Sequence, residues 1–228
     1  FVATPNVTKY RLFAAIHGDV LPDHQLIAFA RSDDYFLGVL HSSVHELWAL
    51  RQGTQLEDRP RYTPTTCFET FPLPWPPGEE PAGESSPLVA RIAAAAEALN
   101  ARRERWLNPP EWIDPIAREI DAREDFSDVP EAARDLIRRS AVMAEAARDE
   151  NLKRRTLTNL YNERPTWLKL AHAELDRAVL SAYAAVDADG GWGEDWAEVW
   201  TDTGAGQRPP DDDPAAARRA EIDEKVLA

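Results

Sequence analysis

Ten side chains of the first 62 residues have the chemistry of base recognition: Arg51, Gln52, Thr54, Gln55, Arg59, Arg61 and Tyr62, with Lys9, Arg11 and Arg31 upstream. An arginine can fork onto guanine O6/N7, and a glutamine can bond both N6 and N7 of adenine. Pro60 stands between Arg59 and Arg61 and limits their backbone freedom. The plain alternative for each of these groups is a solvated surface residue. Glu57 and Asp58 adjoin the two arginines; they can pair with them, or Glu57 can accept from cytosine N4.

Other constellations fail on inspection. Asn108-Pro109-Pro110-Glu111 imitates the motif by which amino-methyltransferases hold a flipped base, but Glu111 stands where a stacking ring is needed, and Trp112 comes one step late. His41 and His45 are four apart, a spacing that suits two metal ligands on a helix, yet no third ligand is evident. No glycine-rich cofactor loop and no nucleophile-elbow sequence occurs. Cys67, the one cysteine, excludes an intrachain disulfide. It reads as a packed residue on a strand. No catalytic, cofactor-binding or metal-binding residue is assigned.

The elements that must carry the ten residues follow from punctuation and periodicity. Short runs at 11–16, 26–30, 35–40 and 68–71 read as strands bounded by Gly18, Pro22 and Asp33-Asp34. Ser43 with Glu46 forms a capping box, so a short helix should run from Ser43 to about Arg51 and stop at Gly53. Trp48 should pack that helix onto the sheet. Pro72, Pro74, Pro76 and Pro77 force an extended exit, and residues 76–86 read as a linker. Ser86-Pro87 starts a helix of about 20 residues whose apolar face is Leu88, Ile92, Ala95, Leu99 and Trp106; Asn108-Pro109-Pro110 stops it. Asp114-Pro115 should start a short helix, another should span 130–149, and Pro165 should open one reaching about Val186 with Leu168, Ala171, Leu175, Ala178 and Ala182 inside. Residues 187–211 read as flexible, and Asp213-Pro214 as the start of a last short helix. Trp192, Trp196 and Trp200, four apart, should dock on another domain or tuck against the chain's own helices.

The fold class is therefore α+β: a small mixed β-sheet with one short helix, then a mostly α-helical C-terminal region. The divisions expected are 1–77, 78–186 and an acidic tail at 187–228. The net charge is -14, but residues 1–75 hold 6 Lys/Arg and 8 Asp/Glu, a net of -2, and residues 76–228 hold 20 and 32, a net of -12. If the first segment touches DNA, its charge suits reading bases, with the phosphates gripped elsewhere. No stretch approaches the roughly 20 apolar residues of a membrane span. A single cysteine fits a reducing cytoplasm. A chain that begins Phe-Val-Ala-Thr reads as part of a longer polypeptide.

Arg31-Ser-Asp-Asp-Tyr-Phe-Leu-Gly-Val-Leu-His-Ser42, the helix from Ser43, and Arg61-Tyr-Thr-Pro-Thr-Thr-Cys-Phe-Glu-Thr-Phe-Pro-Leu-Pro-Trp-Pro-Pro77 occur in that order. The order resembles the closing half of the target-recognition domain of DNA methyltransferases in single-chain (type IIG/IIL-like) restriction–modification enzymes, and more loosely type I restriction specificity subunits. Leu157-Thr-Asn-Leu-Tyr-Asn-Glu-Arg-Pro-Thr-Trp-Leu168 resembles the helical C-terminal part of the same enzymes. The resemblance implies double-stranded DNA as partner and an N-terminal methyltransferase domain on the same polypeptide. It also implies adenine N6 as the methylated atom, with S-adenosylmethionine bound by that domain and no cofactor in this chain. The alternative reading is a non-catalytic helical protein-interaction module with acidic faces.

Overall fold

The computed structural model describes residues 1–56, 59–82, 86–201 and 216–228. A strand that sequence pattern does not reveal, β1 (Val2–Pro5), lies between β2 (Ala14–Ala15) and β3 (Leu26–Phe29). Val2, Ala3 and Thr4 are all buried, so β1 has no in–out alternation to read. Val2 pairs with Ala15 on one side and Phe29 on the other, both antiparallel. A second sheet, β4 (Thr54–Leu56) with β5 (Arg59–Arg61), is also antiparallel. The α+β class holds; the described pairings are antiparallel, where a mixed sheet was expected. Only Ala14–Ala15 of the run 11–16 is strand.

Residues 35–40 are helical, not a strand. They lie in α1 (Asp34–His41), which Asp33 caps by accepting from the Phe36 N–H at 2.9 Å. Tyr35 to His41 are all buried, so every side of the helix is packed and the 3.6 period disappears from the sequence. Gly38 is needed at the crossing: a Cβ there would sit 2.8 Å from Ile92 Cγ2 and 3.2 Å from Leu175 Cδ1. Ser42 ends α1 and caps α2 (Ser43–Gln52), accepting from His45 N–H. The cap is thus one residue before the expected Ser43. The Ser43 hydroxyl goes elsewhere: its Oγ and its backbone N–H both donate to the buried Asp176 carboxylate, each at 2.7 Å. That carboxylate faces the N-terminus of α2, where negative charge is favoured.

Residues 68–71 are not a strand either. Pro64–Phe68 is a π-helical turn closed by Glu69 N–H to Pro64 O at 2.9 Å, and Cys67 is fully buried in it. β-branched and aromatic content suggested a strand; Pro64 at the first position settled the local geometry instead. The aromatic side chains still serve the core. Phe29 meets Phe68 at 4.8 Å, and His45 meets Phe71 at 4.5 Å and Phe13 at 5.3 Å. Trp48 is half-buried, with its Nε1 donating to Thr70 Oγ1 at 3.3 Å.

The described residues divide into two units, 1–99 with 165–228, and 100–164. In the first, α1 and α2 pack against α7 (Thr166–Val186), and α7 packs against α8 (Trp196–Thr201). The expected apolar face of α7 is fully inside. Trp196 and Trp200 are buried against the unit's own helices, Trp200 Nε1 donating to Asp223 on α9 (Ala216–Leu227) at 3.0 Å. Within 187–211, residues 187–201 form turns and α8; the rest, and Asp213-Pro214, lie outside the described residues. Helix α3 (Pro87–Leu107) begins after Ser86, whose Oγ accepts from Val89 N–H. In the second unit, α4 (Pro110–Arg123) starts at Pro110 and encloses Pro115, rather than starting at Asp114-Pro115. It packs on α5 (Glu131–Ala146) and is followed by α6 (Leu157–Glu163). Among the described residues no helix is long and apolar enough to cross a membrane.

His45 gives the first unit a pH signature. Its Nδ1 donates to Leu40 O at 2.8 Å, and its Nε2 accepts from Tyr62 OH at 3.1 Å. Burial pushes its pKa down to about 4. A histidine depressed in the fold stabilises fully above its unfolded value of about 6.5 and loses that contribution as pH falls toward the folded value. Urea melts should show stability falling by about 3 kcal/mol from this residue between pH 7 and pH 4, and His45→Gln should flatten that part of the profile.

Candidate nucleic-acid interface

The exposed part of the ten-residue set gathers on the β4–β5 hairpin. Register sets its face. Thr54 pairs with Arg61 and Leu56 with Arg59, while Gln55 pairs with Pro60. Directly opposed residues of an antiparallel pair share a face, and residues two apart along a strand share it too. Thr54, Leu56, Arg59 and Arg61 therefore project together. Thr54, Gln55, Arg59 and Arg61 are exposed, and Leu56 is 52% exposed. Arg51 and Gln52 are exposed at the end of α2, immediately before the hairpin. Glu57 and Asp58, expected to modulate the arginines, lie outside the described residues.

Two main-chain bonds fasten the hairpin to the body of the unit. Tyr62 N–H donates to Asn6 O at 2.8 Å and Thr8 N–H donates to Pro60 O at 3.3 Å, which together make the antiparallel bridge between Val7 and Arg61. Gly53 lets α2 run straight into β4. Its φ is -74°, so it is not a left-handed stop; a Cβ would lie 2.6 Å from Ala49 O and 2.7 Å from Arg61 O. Close backbone approach is the reason for glycine here.

Arg11 and Tyr62 face the core instead of the hairpin surface. Arg11 is 5% exposed, and its guanidinium is satisfied by neutral oxygens: Thr4 Oγ1 at 3.0 Å, Pro60 O at 3.2 Å, Asn6 O at 3.5 Å and Pro5 O. It also lies over the Tyr62 ring at 5.0 Å. Burial pushes its pKa down to about 10, so it remains charged at neutral pH. Tyr62 is 1% exposed and bonded to His45. Its alternation with exposed Arg61 points its ring into the core. Arg31 is held as a clamp. It forms a fork on Asp33 at 2.8 and 3.0 Å, an ion pair with Glu80, and a stack over Phe36 at 4.8 Å. The hydrogen bonds it donates to Asp33 lead in raising its pKa. Lys9 is exposed, with Nζ over the Tyr10 ring at 5.0 Å.

Sequence reasoning missed Asn6 and Gln25. Asn6 Oδ1 accepts from Arg61 Nε at 3.3 Å, and Asn6 N–H donates to Gln25 O at 2.7 Å, which places exposed Gln25 beside the hairpin. Only the unread strand β1 brings residue 6 to residue 61, so no local signal could have found them.

The rejected chemistry has structural roles. His41 Nδ1 accepts from Phe13 N–H at 3.0 Å, and His41 and His45 are both buried. Pro110 opens α4, and Trp112 stacks on Arg155 at 4.5 Å. A cleft of about 640 Å³ lined by Trp48, Phe71, Tyr183, Trp192 and Val226 is apolar, and its Asp187 already accepts from Trp192 Nε1 at 2.9 Å.

The architecture is that of a small α+β head presenting a polar two-stranded ribbon. Residues 4–75 match the family model described as MmeI, target recognition domain. The match covers about a third of the chain and includes β1 from Thr4, the hairpin and the π-helical turn. It supports DNA sequence recognition in a restriction–modification enzyme as the work of this stretch. No curated protein and no solved structure matches.

The buried and exposed arginines should separate in a stability assay. Arg11→Met should lower the unfolding free energy by about 2–3 kcal/mol, because several carbonyls lose a charged donor. Arg59→Ala and Arg61→Ala should stay within about 0.5 kcal/mol of wild type. Urea unfolding of the three variants measures both.

Proposed function

We propose that this chain is the target-reading region of an S-adenosylmethionine-dependent DNA adenine-N6 methyltransferase in a restriction–modification or phage-defence system. The observation that carries the reading is the exposed Thr54–Leu56–Arg59–Arg61 face, anchored to a packed core inside the stretch that matches a target recognition domain. A two-stranded β-ribbon fits the major groove, about 12 Å wide, where each base pair shows a distinct donor and acceptor pattern. Arginine suits guanine there, and an exposed leucine suits the thymine methyl group.

The division of labour follows from charge. Residues 1–75 carry a net of -2, too little positive charge to hold duplex DNA by its phosphates. The hairpin supplies discrimination. Phosphate contacts, the cofactor and methyl transfer belong to a methyltransferase domain on the same polypeptide.

Sequencing of methylated sites in cells that express the full-length polypeptide tests this. Arg59→Ala or Arg61→Ala should relax preference at single positions of the target by about 5- to 150-fold, the value of one bidentate contact. Adenine methylation at an unchanged motif, with unchanged affinity at two salt concentrations, would make the arginines bystanders and favour the protein-interaction reading.

A further inference from the structure

Asn6 makes four bonds of two kinds. Its backbone carbonyl accepts from Tyr62 N–H at 2.8 Å and from Arg11 at 3.5 Å, and its N–H donates to Gln25 O at 2.7 Å; all three use main-chain atoms that any residue would keep. The fourth is made by its side chain, whose Oδ1 accepts from Arg61 Nε at 3.3 Å. Among the described residues Arg61 makes no ion pair, and its two terminal amino groups have no hydrogen-bond partner.

A guanidinium held at Nε is constrained in the plane that its two amino groups share, with four N–H donors left on them. The outer N–H bonds of the two amino groups point the same way and form a fork that fits the O6 and N7 acceptors of guanine. The buttress is also electrically neutral. Arg31 shows the contrast within the same unit: Asp33 and Glu80 neutralise it and lock it to the fold. An amide buttress orients Arg61 without cancelling its charge. On the hairpin register Arg61 points outward on the face it shares with Arg59, opposite to buried Tyr62.

We propose that Asn6 is a positioning residue that aims the Arg61 guanidinium at a guanine of the target. The proposal rests on the target-reading function above and adds to it which base Arg61 takes and what fixes its geometry. Asn6 does not touch DNA through this bond; it acts through Arg61.

The test uses the full-length polypeptide and a random-sequence duplex library, with bound duplexes enriched and sequenced. Arg61→Ala should lose a guanine preference at one position. Asn6→Ala should relax the same position by about 3- to 20-fold, as a donor pair free to rotate makes a poorer fork. Asn6→Gln, which keeps a neutral amide acceptor for Nε, should restore the preference at least in part, whereas Asn6→Asp, whose carboxylate would neutralise Arg61 as Asp33 neutralises Arg31, should not. The double variant should discriminate no worse than Arg61→Ala alone. Melting temperatures should stay at the wild-type value, because the main-chain bonds of residue 6 survive these substitutions. If Asn6→Ala leaves that position unchanged, relaxes a different one, or acts only by lowering the melting temperature, Asn6 has no positioning role. A wild-type polypeptide that enriches no motif overturns the target-reading function itself, and this proposal with it.

Discussion

The buried guanidinium of Arg11 holds the reading head together. It joins the end of β1, through Thr4, Pro5 and Asn6, to Pro60 in the middle of β5, and supports the Tyr62 ring beneath. A charge this deeply buried is costly unless its donors are satisfied. Here the acceptors are neutral oxygens that a regular sheet would leave elsewhere, so the hairpin must sit where it does for the charge to be tolerated. The outward arginines inherit a fixed platform from the inward one. A second lock, Asp176 to the first residue of α2, ties the helix that leads into the hairpin to α7. Gly53 then allows helix and ribbon to meet without a gap.

Legibility in the sequence followed periodicity. The faces of α3 and α7 could be read because Ile92 and Leu99, and Leu168 and Leu175, recur at helical spacing among buried positions. α1 could not, because it is buried on all sides. β1 could not, because its neighbours cover both faces and it is only four residues long. The hairpin was visible only as a polar loop led by glycine, since three-residue exposed strands carry no apolar pattern. The site was half legible for the same reason. Residue type placed Arg59 and Arg61 correctly on the surface, but type alone could not separate them from Arg11, which faces inward from a segment of irregular backbone. Asn6 needed the long-range pairing of residues 6–8 with 60–62.

An acidic chain that reads DNA is coherent only if specificity and affinity are supplied by different surfaces. Base-edge contacts need few charges and exact geometry; phosphate contacts need many charges and little geometry. In the proposed function the hairpin supplies the first. Its arginines are few, exposed and mounted on a ribbon whose β5 strand is bonded by its backbone to residues 6–8.

The most direct measurement of that claim is deuterium exchange of the full-length polypeptide with and without a duplex bearing its target. The account predicts that protection on binding concentrates in residues 51–62, with a smaller effect near Asn6 and Gln25, and that a duplex altered at one target guanine abolishes it. Protection confined to residues 110–146, or to α7, with the hairpin exchanging as freely as in the unbound protein, would contradict it.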